Sequence, residues 1–233
     1  MNTARDLAIV ALDSAPERPL EQGDLSLALA GAELLDLADA GALSLDGDHI
    51  VPGTASDTGD RLLDGAAALL VRERPYESVE DWLWRRGREL AAAYTADLEK
   101  DGLAARPRGR RIPLRASRAE LVDSPERGRA RERLTAGDPV LTALASAAGV
   151  GGDGGDTGGG ATGADLSEDE GKATDETRTD DSLTTEPLAD EPFADESLTA
   201  VLAAVGGAVM ELEAVRQRRA IENAAFDNVW RGW

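Results

Sequence analysis

Between Leu25 and Ala40 apolar positions recur at three- and four-residue steps: Leu27, Ala30, Leu34, Leu37 and Ala38 form one stripe, and Ala28, Gly31 and Ala32 fill most of the remaining surface. A helix this poor in polar residues belongs inside a core, with Glu33, Asp36 and Asp39 marking one polar side. Gly41 stands where a left-handed cap would end it. Leu43 and Leu45 then alternate up to Asp46-Gly47, and Ile50 and Val51 follow before Pro52, which predicts a hairpin.

The same pattern predicts further elements on either side. Thr3 to Leu12 reads as a short helix with Thr3 as cap and Asp6 in a capping-box position, and Pro16 and Pro19 make the next stretch a loop. Thr58 to Arg74 reads as a helix capped by Asp57 or Thr58, with a stripe of Leu62, Leu63, Ala66, Leu69 and Leu70, stopped by Pro75. Ser78 caps another, with Glu80 and Asp81 in its first turn, running through Trp82, Trp84 and Leu90 to Lys100. Its end, LEKDGLAARPRGRRIPL, repeats the helix-then-hairpin layout of LADAGALSLDGDHIVPG. Ser117 or Ser124 caps helical segments through Leu121 and Leu134, and Asp138-Pro139 opens a short helix from Val140 to Ala148 that Gly149 ends. Helical pattern returns at Leu198 with Ser197 as cap and Leu202, Val205, Val209, Leu212 and Val215 on one face, running on through Ile221 and Phe226 to Val229 and Trp230.

Charge separates one stretch from the rest. The net charge is -20, yet Gly151 to Ser197 alone holds fifteen acidic residues against Lys172 and Arg178. With almost no aliphatic residues before Leu183, residues 151–196 cannot offset their ordering entropy and read as a disordered acidic linker. What remains, 1–150 and 197–233, is one domain of about 185 residues, mainly α, built around a buried central helix with short β-hairpins. The opposite charge gathers at Arg106, Arg108, Arg110, Arg111, Arg115 and Arg118, with no acid among them. No cysteine is present, which fits a reducing compartment. The apolar run Leu7–Leu12 is too short for a signal-peptide core, and no uninterrupted apolar run of about 18 residues occurs. The expected location is the cytoplasm.

Candidate chemistry is sparse. Gly151 to Asp156 matches one unit of a calcium-binding nonapeptide that works only as stacked repeats, and Asp165, Ser167, Asp169 and Glu176 have EF-hand spacing with Glu170 where the sharp turn needs glycine. Both read as linker. His49 is the one histidine, and neither a GxGxxG, a P-loop nor a GxSxG follows any strand, so no enzyme, cofactor or metal site is expected. Arg85, Arg86 and Arg88 beside Trp82 and Trp84 have two readings: a solvated face over a core anchor, or guanidinium groups holding phosphate. The arginines from Arg106 to Arg118, Arg115 included, either bind an anionic surface or attract the chain's own acidic linker.

LALAGAELLDLADAGALSLDGDHI, TGDRLLDGAAALL, SVEDWLWRRGREL, LEKDGL, RRIPL and DPVLTALASAAGV occur in an order and spacing that resembles the Golgi phosphoprotein 3 family, in a bacterial-type form. The likeness covers most of Thr3 to Val150 and, more loosely, the last helix. It implies a mostly helical fold around a buried helix, no enzymatic activity, and peripheral attachment to membranes through phosphatidylinositol 4-phosphate. In that family a Trp before the central helix and an Arg within it line the headgroup pocket; the matching places are Glu21 and Ala30. A later pair of arginines corresponds to the helix bearing Arg85, Arg86 and Arg88, and the family's apolar hairpin tip is replaced by ARPRGRR.

The leading expectation is a non-enzymatic peripheral membrane adaptor for anionic, phosphoinositide-like headgroups, attached at the inner face of the membrane. Arg85, Arg86, Arg88, Arg106, Arg108, Arg110, Arg111 and Arg115 are its candidate binding residues. One alternative is a protein-interaction scaffold without lipid binding, in which the acidic segment and Trp230 and Trp233 serve a protein partner. The other is a winged helix meeting DNA, against which the acidic residues of the central helix argue; no nucleic-acid partner is expected.

Overall fold

In the computed structural model, which describes residues 2–14, 20–54, 57–106, 119–150 and 191–231, with the backbone alone at 191–195 and 227–231, the helix α2, Gln22–Asp39, is the axis of the domain. From Leu25 to Ala38 none of its residues is exposed. Around it pack α1 (Thr3–Asp13), α3 (Arg61–Ala68), α4 (Val79–Arg86), α5 (Leu90–Lys100), α7 (Pro139–Ala147) and α8 (Glu191–Arg231), while α6 (Pro125–Thr135) lies on α1. Two small antiparallel sheets complete the described residues: β1 (Leu43–Asp46) with β2 (His49–Pro52), and β3 (Ala104–Ala105) with β4 (Glu120–Leu121).

The central helix ends as its sequence dictates. Gly41 takes φ 67, and the β1–β2 hairpin pairs Leu43 with Pro52 and Asp46 with His49, with Gly47 at φ 62 in its turn. The polar side read into α2 is not at the surface, however. Glu33 is 0% exposed and Asp36 4%, and of the three acids only Asp39 faces water. Asp36 accepts the Thr3 and Ala4 amides at 2.8 and 2.9 Å, capping α1 from another helix. Burial pushes its carboxyl pKa up, against the pull of those two amides. A helix enclosed on all sides has no face to lay in a DNA groove, which argues against α2 as a recognition helix.

Other boundaries shift for local reasons. The cap of α1 is Asn2, which accepts from the Arg5 amide at 2.7 Å, one residue before Thr3. Asp60, not Asp57 or Thr58, caps α3 by accepting from Leu62 and Leu63, and that helix stops at Ala68, leaving Leu69 49% exposed. The helix expected from Ser78 to Lys100 is two, α4 and α5, broken at Gly87–Glu89. Leu121 lies in β4 rather than a helix; Ser124 and Asp138 cap α6 and α7 as read. Three of the four arginines of α6 are held by acids outside it, Arg127 and Arg131 by Asp13 and Arg133 by Asp6 and Asp138, while Arg129 pairs with Glu126 of its own helix. Pro16, Pro19, Ser117, the RRIPL strand, the acidic stretch up to Asp190 and Trp233 lie outside the described residues.

Helix α8 begins at Glu191, before Ser197, and its Val201, Val205 and Ala208 are buried in the same core as α2. Contrary to the expectation from uninterrupted runs, its stretch Glu196–Phe226 is long and apolar enough by length and composition to cross a membrane, because only Glu211 and Glu213 interrupt its most apolar part. The α2–α8 crossing depends on Gly31, where a Cβ would stand 2.4 Å from Val205 Cγ2. Gly31→Val should force the two helices apart, costing about 2–3 kcal/mol and lowering Tm by roughly 5–10 °C in a thermal melt.

Candidate functional site

Helix α4 is anchored from within. Ser78 caps it through the Asp81 amide at 3.0 Å, and Trp82, fully buried, donates its indole N–H to the Ala30 carbonyl of α2 at 3.3 Å. The chain must leave α4 at Gly87: a Cβ there would stand 2.6 Å from the Leu83 carbonyl and 3.4 Å from Leu27. Glu89 then takes φ 57 and α5 begins. Ser26 ties the junction down by accepting the Ala91 amide at 3.1 Å and donating to the Gln22 carbonyl at 2.7 Å. The link thus sets Arg88 and Glu89 against the start of α2.

The described candidate arginines meet different fates. Arg85 forks onto Glu77 with two bonds of 2.6 Å and lies 5.1 Å from the Trp82 ring centre; the Glu77 hydrogen bond holds its pKa up. Arg86 forks onto buried Glu33 with two bonds of 2.7 Å, and the Tyr94 hydroxyl donates to the same carboxylate at 3.1 Å. Burial pushes the Glu33 carboxyl up, opposed first by Arg86. Burial, then the Glu33 charge, drives the Tyr94 phenol well above its ordinary value. Arg86 therefore neutralises the core rather than facing a ligand. Arg106 pairs with Glu99 at 2.7 Å. Arg108, Arg110, Arg111 and Arg115 lie outside the described residues.

Arg88 stands apart. It is exposed, and among the described residues no carboxylate pairs with it. It lines a cavity of about 410 Å³ with Gln22, Gly23, Ser26, Trp84, Glu89 and Leu212. Two helices begin there, α2 after Glu21 and α5 after Glu89, and neither is capped by its own N-cap side chain; Ser26 caps α5 through the Ala91 amide, and Asp24 lies in the first turn of α2. Of the places matched through the resemblance, Glu21 directly precedes the cavity residue Gln22, its side chain 62% exposed and 3.8 Å from Arg216, whereas Ala30 is fully buried.

Two features here have no counterpart in the sequence reading. Leu212 of α8 forms a wall of the cavity, and Arg216 of α8 pairs with Asp24 at 2.9 Å. The second is a contact across 192 positions that no local pattern announces. A larger cavity, about 820 Å³, lies at the other side of α2, lined by Arg5, Asp36, Asp39, Asp57, Asp60 and Asp101. Four of its five acids are engaged within the fold: Asp36 by the Thr3 and Ala4 amides, Asp57 by the Gly59 amide, Asp60 by Asn2 and the start of α3, and Asp101 by Arg5. Among the described residues no group of acids, histidine or cysteine is placed to hold a metal ion.

A family model described as Golgi phosphoprotein 3 (GPP34) matches residues 4–155. The chain belongs to the Golgi phosphoprotein 3 family. No curated protein matches it significantly. The part matched to Golgi phosphoprotein 3 runs from α1 through α7 and so contains Arg88 and the whole setting of α2 except α8. Membership is consistent with a non-enzymatic adaptor.

Proposed function

We propose that this chain is a non-enzymatic adaptor that attaches peripherally to anionic membranes at the cytoplasmic face, taking a phosphorylated headgroup at the Arg88 cavity. The observation that carries this reading is selective pairing: Arg85, Arg86 and Arg106 each face a carboxylate, while Arg88 has no such partner among the described residues and lines a cavity at the starts of α2 and α5. A phosphate placed there meets a guanidinium able to bind it with two hydrogen bonds. Trp84 lines the same cavity and offers an indole face to a sugar or inositol ring.

Co-sedimentation with phosphatidylcholine vesicles carrying phosphatidylinositol 4-phosphate tests the reading. Because Arg88 is exposed, Arg88→Ala should leave the melting temperature unchanged and weaken binding by roughly tenfold or more, the worth of one charge-assisted phosphate contact. Vesicle binding that Arg88→Ala leaves unchanged would remove the cavity from the account.

A further inference from the structure

The inner face of α8 is spent on the domain, through Val201, Val205, Ala208 and Leu212. Its opposite face carries a second series, Gly207, Met210, Ala214, Gln217, Ile221 and Ala224, in alternating three- and four-residue steps, and every one of the six is exposed. That is the spacing of a helix-pairing seam, and its two large members, Met210 and Ile221, are 75% and 70% exposed. Gly206 and Gly207 sharpen the contrast with Gly31. A Cβ at either would meet nothing within 4 Å, so nothing among the described residues requires glycine there. Glycine inside a helix costs about 1 kcal/mol relative to alanine, a cost that close approach of another helix would offset. From Gln217 to Phe226, moreover, every residue of α8 is exposed, so among the described residues this half of the helix has no buried face.

We infer that the outer seam of α8 pairs antiparallel with the same seam of a second copy of this chain. A two-fold axis between Ala214 and Gln217 sets Met210 against Ile221 of the second copy and Gly207 against Ala224, so the large residues meet each other and the smallest meets a small one. The charges beside the seam select this arrangement. Glu211 and Arg218 lie along one edge and, under the same axis, each faces the other's counterpart, giving two ion pairs. A parallel pair would instead call on Glu213, which is already held by Arg216 at 3.4 Å and Gln217 at 3.1 Å in its own chain. The projecting half of each α8 rests along the supported half of the other.

Sedimentation equilibrium of the full chain tests this, with a dimer expected. Met210→Glu and Ile221→Glu, at positions exposed in the single chain, should leave the domain folded, with a cooperative melt, while weakening association at least about a hundredfold. Glu211→Lys and Arg218→Glu should each weaken it about tenfold or more, and the two combined should restore it. The chain has no cysteine, so a mixture of Met210→Cys and Ile221→Cys chains should form a disulfide between the two variants and not within either alone. A monomeric wild type, or a dimer indifferent to these substitutions, overturns the inference. So does a monomer whose vesicle binding is lost with Met210→Glu, which would assign the face to a lipid surface.

Discussion

Arg86→Met should destabilise the domain by about 3–5 kcal/mol and lower Tm by roughly 10–15 °C, because it leaves the Glu33 carboxylate charged and without its cation in the centre of the core. Glu33 is fully buried, and the two 2.7 Å bonds from Arg86 are its main compensation, with the Tyr94 hydroxyl adding one more. Removing both charges, as Glu33→Leu with Arg86→Met, should recover most of the loss, since the penalty lies in the unpaired charge rather than in the absence of the pair. Thermal melts of the two variants decide it; a double variant no more stable than the single one would mean that the pair is worth more than its desolvation. The contrast with Arg88, two residues along, is the functional point. Adjacent arginines of one motif, WLWRRGR, divide between core neutralisation and an open cavity, because α4 ends at Gly87 between them.

Leu34→Asp should prevent folding altogether. Leu34 is 1% exposed in a helix surrounded by six others, so a carboxylate there would be taken out of water inside a close-packed core. Circular dichroism and melting read the outcome: a soluble chain with normal helicity and a cooperative transition would mean that the buried face of α2 is misassigned.

What was legible in the sequence followed from local rules. The apolar pattern of α2, the Gly41 cap, the β1–β2 hairpin and the Asp138-Pro139 start of α7 rest on residues a few positions apart, and the chain folds there as the pattern reads. Glu33 and Asp36 were misread as a polar surface because their partners come from elsewhere: Arg86 is 53 positions away and the Thr3 amide 33. An acid inside an apolar helix is a surface signal unless a distant donor is brought to it, and no single-helix pattern reveals that donor. The break between α4 and α5 was missed because the apolar pattern runs on through Gly87, whereas in the fold a Cβ there would stand 2.6 Å from the Leu83 carbonyl, with Leu27 and Ser26 of α2 at 3.4 Å. At the candidate site the sequence supplied a cluster of arginines. Only the pairing of Arg85 with Glu77 and Arg86 with Glu33 singles out Arg88, and Leu212 and Arg216 belong to a helix beyond the matched family region.

The central claim is capture of an anionic headgroup, and flotation of the unmodified protein with three kinds of vesicle tests it most directly: phosphatidylcholine alone, phosphatidylcholine with phosphatidylserine, and phosphatidylcholine with phosphatidylinositol 4-phosphate, each at low and at physiological salt. The account predicts no recovery with the first and recovery with the third that survives physiological salt, because directional bonds from Arg88 to a phosphate outlast the diffuse charge attraction that salt screens. No recovery with any vesicle at low salt would contradict it.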